Sequence, residues 1–188
     1  MDELTCLARA AGRGDRAALA SFVQQTQGDV WRLCAYLAGP ASADDLAQDT
    51  YLRAIPALRK FRGDAPARTW QLAIARRACA AEITARTRRR QLAARLAVTP
   101  ASALGQPPPE PGAQAAADEL LAALQPDRRA AFVLTQMLGC SYAEAAAICG
   151  CPVGTIRSRV ARAREDLDAI IADPDETPRP EQASGAGR

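Results

Sequence analysis

Apolar residues recur every three or four positions along most of this chain, and no stretch alternates strictly with polar ones. That period predicts helices and no sheet. Leu4 to about Gly12 and Arg16 to about Gln27 read as short amphipathic helices, with Gly12 and Gly14 between them. A third runs from Asp29 to about Ala38, with Val30, Leu33, Cys34 and Leu37 on one face. Gly39-Pro40 ends it. A fourth spans Ser42 to about Lys60, capped by Ser42 with Asp45, and Pro56 should kink it. Phe61 to Ala67 reads as a loop. A long helix then starts at Arg68 and reaches about Arg90. Trp70, Ile74, Ala78 and Ile83 can face its core, leaving Arg68, Arg76 and Arg77 free to meet phosphates.

The periodicity lapses between Ala97 and Ala117, where Pro100, Pro107, Pro108, Pro109 and Pro111 mark a linker. Helical spacing resumes near Asp118 and fades after Asp173, where Pro, Gly and acidic residues suggest a disordered tail. The last two helices form the most specific pattern. Ser141 and Glu144 have the spacing of a capping box, Gly150 stops the first helix, and Pro152 suits the start of the second. Val153, Ile156, Val160, Ala163 and Leu167 share one face. Thr155, Ser158, Ala161 and Arg162 share the opposite one, flanked by Arg157, Arg159 and Arg164. Small residues between arginines let such a face approach the DNA major groove. No acidic residue falls between Ala145 and Arg164.

Charge sharpens this reading. The formal net charge is only +3, yet residues 52–97 hold twelve basic side chains and two acidic ones. A basic block in a near-neutral protein points to a polyanion surface. Alanine-rich, aromatic-poor composition requires cores of closely packed helices. No amino-terminal leader pattern and no membrane-length apolar run are present. With no histidine, Cys149 and Cys151 make a poor metal site and read as small apolar fillers, and no cofactor is expected.

Gly-Cys-Ser-Tyr-Ala-Glu-Ala-Ala, from Gly139, and Pro-Val-Gly-Thr-Ile-Arg-Ser-Arg-Val-Ala-Arg-Ala-Arg, from Pro152, closely resemble region 4.2 of extracytoplasmic function (ECF) sigma factors, nearest their SigC-like group. Pro126-Asp-Arg-Arg-Ala-Ala-Phe-Val-Leu is similar to region 4.1. Asp44-Asp-Leu-Ala-Gln-Asp-Thr-Tyr-Leu-Arg-Ala resembles region 2.2, and the run from Arg68 resembles regions 2.3 and 2.4, although many members have Asn where Arg77 stands.

The resemblance implies an all-α fold of two small helical domains on a flexible Pro-rich linker. Residues 1–96 would form the region 2 domain, 97–117 the linker, 118–172 the region 4 helix-turn-helix domain, and 173–188 the tail. It implies a cytoplasmic, non-enzymatic subunit that brings bacterial RNA polymerase to promoters and starts their opening. Thr155, Arg157, Ser158, Arg159, Ala161 and Arg162 would meet duplex −35 DNA. Phe61, Arg62, Gly63, Asp64, Arg68, Arg76 and Arg77 would meet the single-stranded −10 element. Asp44, Asp45, Gln48 and Asp49 would meet the polymerase core, whose β′ and β subunits are the expected partners. An anti-sigma factor is a further candidate partner. Two alternatives stand beside it: a stand-alone helix-turn-helix regulator, and a thiol redox sensor or enzyme needing a low-pKa cysteine near cations.

Overall fold

A computed structural model of the chain describes residues 2–96 and 113–172, which include eight α-helices and no strand. Helix α1 (Glu3–Gly12) begins at Asp2, whose carboxylate accepts from the Thr5 backbone N–H. Its last residue, Gly12, lies so close to the Leu58 carbonyl that a Cβ would come within 2.4 Å of that oxygen. Helix α2 (Arg16–Ala38) is one continuous helix where the sequence suggested two. Gly28 is accommodated within it, because Phe22, Val30, Leu33, Cys34 and Leu37 bury one unbroken stripe. Packing of that stripe outweighs the roughly 1 kcal/mol propensity cost of an interior glycine.

Helix α3 (Ala43–Ala57) does not use the expected cap. Ser42 makes no capping bond, and its hydroxyl instead accepts from Arg86, 2.7 Å away. Pro56 falls in the final turn, so it coincides with the helix end and a 3₁₀ turn at Leu58–Lys60. Helix α4 (Ala67–Leu96) runs past the expected end near Arg90. Residues 97–112 of the expected linker and the tail from 173 lie outside the described residues. Residues 113–117, expected as linker, belong to α5 (Ala113–Ala123).

Helix α6 (Pro126–Phe132) continues into a π-helical turn at Val133–Met137, followed by α7 (Tyr142–Cys149) and α8 (Val153–Ala172). Helices α1–α4 form one bundle and α5–α8 a second. They are not held apart. One cluster of buried residues runs from Val30, Leu33, Leu72 and Ala75 of the first bundle to Leu134, Ile148, Ile156 and Val160 of the second. A smaller core of Ala8, Phe22, Leu58 and Ala67 fixes α1 to the start of α4.

Candidate nucleic-acid interface

The turn between α7 and α8 is built as its residue types require. Ser141 N–H donates to the Glu144 carboxylate at 2.8 Å, and Glu144 N–H returns a bond to the Ser141 hydroxyl at 3.2 Å. The Ser141 backbone N–H holds the Glu144 carboxyl below the usual carboxylate range. Gly150 turns left-handed at φ 66°, and its N–H bonds the Ala146 carbonyl. Only glycine does this without a Cβ penalty. Helix α8 therefore leaves at a fixed angle. Ile156, Val160 and Ala163 are buried against α6 and α7, so Arg157, Ser158, Ala161 and Arg162 point outward and Thr155 is half-buried. Arg159 departs from this set. Its guanidinium is turned to Asp127 of α6 and to the Cys151 sulfur, 3.7 Å away.

The residues expected at a single-stranded site lie around the start of α4. Ala67 N–H donates to the Thr5 hydroxyl at 2.9 Å, which anchors that start to α1. Gly63 takes φ 82° in the preceding loop, with Arg62 and Asp64 exposed around it. Phe61 is half-buried and packs on Trp70 with ring centroids 5.0 Å apart. Arg77 is exposed. Arg68 and Arg76 are not free for phosphates. Arg68 bonds Asp29 at 2.6 Å, the Leu138 carbonyl at 2.7 Å and the Cys140 sulfur at 3.5 Å; Arg76 reaches Asp127 at 3.4 Å.

A separate surface lies between α2 and α3. Asp44, Asp45 and Gln48 are exposed there, and Asp49 pairs with Arg53 at 2.8 Å. Beside them runs a mainly apolar groove lined by Val23, Trp31, Ala47 and Tyr51. Trp31 is 42% exposed, and its indole N–H donates to Asp44 at 2.8 Å. Sequence reasoning passed over Trp31. Its signal was register: it sits one position off the buried stripe of Val30, Leu33, Cys34 and Leu37.

The family pattern described as "Sigma-70 region 2" matches residues 22–89, and "Sigma-70, region 4" matches residues 114–167. The ECF RNA polymerase sigma factor SigC of Mycobacterium tuberculosis is 48% identical over 174 residues, covering 92% of this chain and 91% of that protein. The chain belongs to the sigma-70 family, as an ECF sigma factor. Among solved structures, CnrH in complex with the cytosolic domain of CnrY is 27% identical with a TM-score of 0.68, covering 93% of this chain and 100% of that one. The sigma factor RpoE of Bartonella quintana, in complex with the anti-sigma factor NepR, is 27% identical with a TM-score of 0.64, covering 84% and 98%.

In this sigma factor the region 4 bundle rests on the region 2 helix that carries the −10 candidates. Helix α7 packs along α4, and the Arg129 guanidinium donates to the Leu37 carbonyl at 3.1 Å. Burial lowers the pKa of that guanidinium. Asp127, on α6, holds Arg159 of α8 and Arg76 of α4 together. Sequence reasoning missed Asp127 and Asp29, because acids opposite arginines are visible only once the bundles meet. Burial works against a redox site: Cys34 is lowered by its hydrogen bond with Cys79, yet it is fully buried. All six are free. Cys79 is pushed up by its hydrogen bond with Cys34 and by burial, and burial also raises Cys140 and Cys149. A reactive thiol needs a lowered pKa together with access to solvent. No cluster of three or more potential metal ligands occurs among the described residues, and no described helix is long and apolar enough to cross a membrane.

Proposed function

We propose that this ECF sigma factor reads duplex −35 DNA with the outer face of α8 and takes the unpaired −10 strand along residues 61–77. Arg157, Ser158, Ala161 and Arg162 are the reading set, with Thr155 at its edge. Gly63 supplies close backbone approach, Arg62 and Asp64 line the loop, and Arg77 extends it. Asp44, Asp45, Gln48 and Asp49 dock on the polymerase core, with Trp31 as an aromatic anchor beside them. Interface hot spots favour such a half-exposed tryptophan. The domain limits follow the bundles: 2–96 for region 2 and 113–172 for region 4. Polymerase supplies the chemistry, so no catalytic group is assigned to this chain, and the site of action is the cytoplasm.

The observation that carries this reading is the outward face of α8. Its small and basic residues are held clear of the core by the capped, left-handed turn before it. A stand-alone regulator would need no surface like that of α3, and leaves the basic α4 without a role. The arrangement described is closed, with Arg68 and Arg76 held by groups of region 4. Promoter binding therefore begins with separation of the two bundles, which frees these arginines for phosphates. The two solved relatives were captured with an anti-sigma factor and with the cytosolic domain of CnrY. A partner of that kind would here bind a chain whose Arg68 and Arg76 are already engaged.

Runoff transcription with core polymerase on a promoter library tests the assignment. Enriched promoters with two elements a fixed distance apart are expected. Enrichment of a single palindrome bound without polymerase would overturn it.

A further inference from the structure

Packing between the two bundles is incomplete where the end of α2 meets α4, α5 and α6. A cavity of about 350 Å³ remains there, and its wall includes Tyr36 of α2, Arg86 and Arg90 of α4, Asp118 of α5 and Arg129 of α6. Three guanidinium groups therefore share this wall with one carboxylate. The carbonyl end of α2 accounts for part of that charge. Arg86 donates to the Ala38 carbonyl at 3.3 Å and Arg129 to the Leu37 carbonyl at 3.1 Å, and Arg86 also lies 3.9 Å from Glu82. Arg90 is left unexplained, since it is exposed and makes no ion pair among the described residues. Arg129 is only partly satisfied. Its second terminal nitrogen donates to the Ala122 and Leu124 carbonyls, but its Nε is buried with no hydrogen-bond partner. Burial works against its charge, and no neighbouring carboxylate offsets this. A cation buried without a counter-charge is unfavourable. Tyr36 is half-buried, and its hydroxyl makes no hydrogen bond among the described residues.

We propose that this cavity binds a small phosphate-bearing metabolite with two or more negative charges, held by Arg86, Arg90 and Arg129. Guanidinium forks match phosphate oxygens in pairs, and a single carboxylate ligand would leave most of the three forks unused. The volume lies within the range of roughly 300–1,000 Å³ usual for small-ligand sites. An anion there supplies the counter-charge that Arg129 lacks. The walls come from both bundles, so the site is complete only while they are packed together. A ligand that binds only the packed arrangement stabilises it. Arg68 and Arg76 then stay engaged with region 4, and promoter binding falls. The site stands on this geometry alone, whereas its effect on promoter binding rests on the function proposed above.

Calorimetric titration of the full chain with inorganic tripolyphosphate, at about physiological salt, tests this. Saturable binding of one equivalent is expected. Arg90→Glu should weaken it about tenfold or more, as expected for loss of a charge-assisted contact. Arg88→Glu makes the same charge change on the opposite side of α4, and should weaken it by no more than about twofold. Equal melting of both variants without tripolyphosphate excludes misfolding, and Arg90→Gln should give a smaller loss in the same direction. Tripolyphosphate should raise the melting temperature of the intact chain and of Arg88→Glu more than that of Arg90→Glu. It should also weaken binding of a single-stranded −10 oligonucleotide, and this inhibition should disappear in Arg90→Glu. Absence of saturable binding overturns the site. Equal weakening in Arg88→Glu and Arg90→Glu also overturns it, because that is general attraction to a basic chain. Inhibition that persists in Arg90→Glu is direct competition for the DNA-facing arginines and overturns the closing effect. A chain that opens no promoter but keeps the Arg90-dependent titration loses the proposed function and keeps the site; promoter opening without that titration does the reverse.

Discussion

The guanidinium of Arg68 leaves its own bundle and donates to the backbone carbonyl of Leu138, 2.7 Å away in the other. Asp29 holds the same side chain from the opposite side at 2.6 Å. A cation suited to phosphate is thereby satisfied inside the protein. On the function proposed above, DNA must compete for it.

The same competition acts at Asp127. Its carboxylate is 54% exposed, so each of its two ion pairs contributes at most about 1 kcal/mol. Asp127→Asn should raise the open population by no more than about fivefold, and more at low salt. Tighter binding of a single-stranded −10 oligonucleotide by the full chain, with a larger radius of gyration in solution scattering, is the expected result. Unchanged scattering and binding would remove Asp127 from the closing contact.

Gln71 is 1% exposed, and neither its amide oxygen nor its amide nitrogen has a partner. An unpaired buried amide costs about 1–3 kcal/mol. Gln71→Leu should therefore stabilise the chain by about 1–2 kcal/mol, read as a higher urea midpoint with unchanged slope. A lower midpoint would show that the amide is paired in solution.

On α3, charge reversal at Asp45 and Asp49 together should weaken competition for core polymerase while leaving helicity intact. Trp31→Ala should weaken it further, by about 1–3 kcal/mol if the indole is a buried anchor of the complex. Binding of −35 duplex should not change in either variant. Normal competition by both variants would place the polymerase contact elsewhere.

The capping box makes region 4 sensitive to acid. Glu144 has a folded pKa below its ordinary value because the Ser141 N–H bonds the ionised form. Its stabilisation is therefore present above the unfolded carboxylate value, about 4.3, and is lost as pH falls through the folded value. Ser141→Ala should cost about 0.5–2 kcal/mol at neutral pH. Its deficit relative to the intact chain should shrink in acid, where the intact box also opens. A deficit independent of pH would assign the loss to the hydroxyl bond alone.

Much of this was legible in the chain. The capping box, the Gly150 stop and the buried face of α8 are local, since each depends on residues within one or two turns. The join of two expected helices across Gly28 was not legible, because the stripe that holds them is satisfied only by α1, α3 and α4. Arg68 and Arg76 read as free cations for a similar reason. Their partners, Leu138 and Asp127, are 70 and 51 residues away, and sequence spacing carries no sign of such a meeting. The cap at Ser42 was displaced by Arg86, 44 residues distant. Tertiary contact overrode a local preference there.

The buried cluster shared by the two bundles has a consequence for supply. Closure takes place within one chain, so the closed fraction is the same at any protein concentration, and synthesis of more copies does not open any of them. A competitor for the covered faces does. Output should accordingly rise in simple proportion to the amount of this protein, scaled down by a fixed open fraction, until polymerase is saturated.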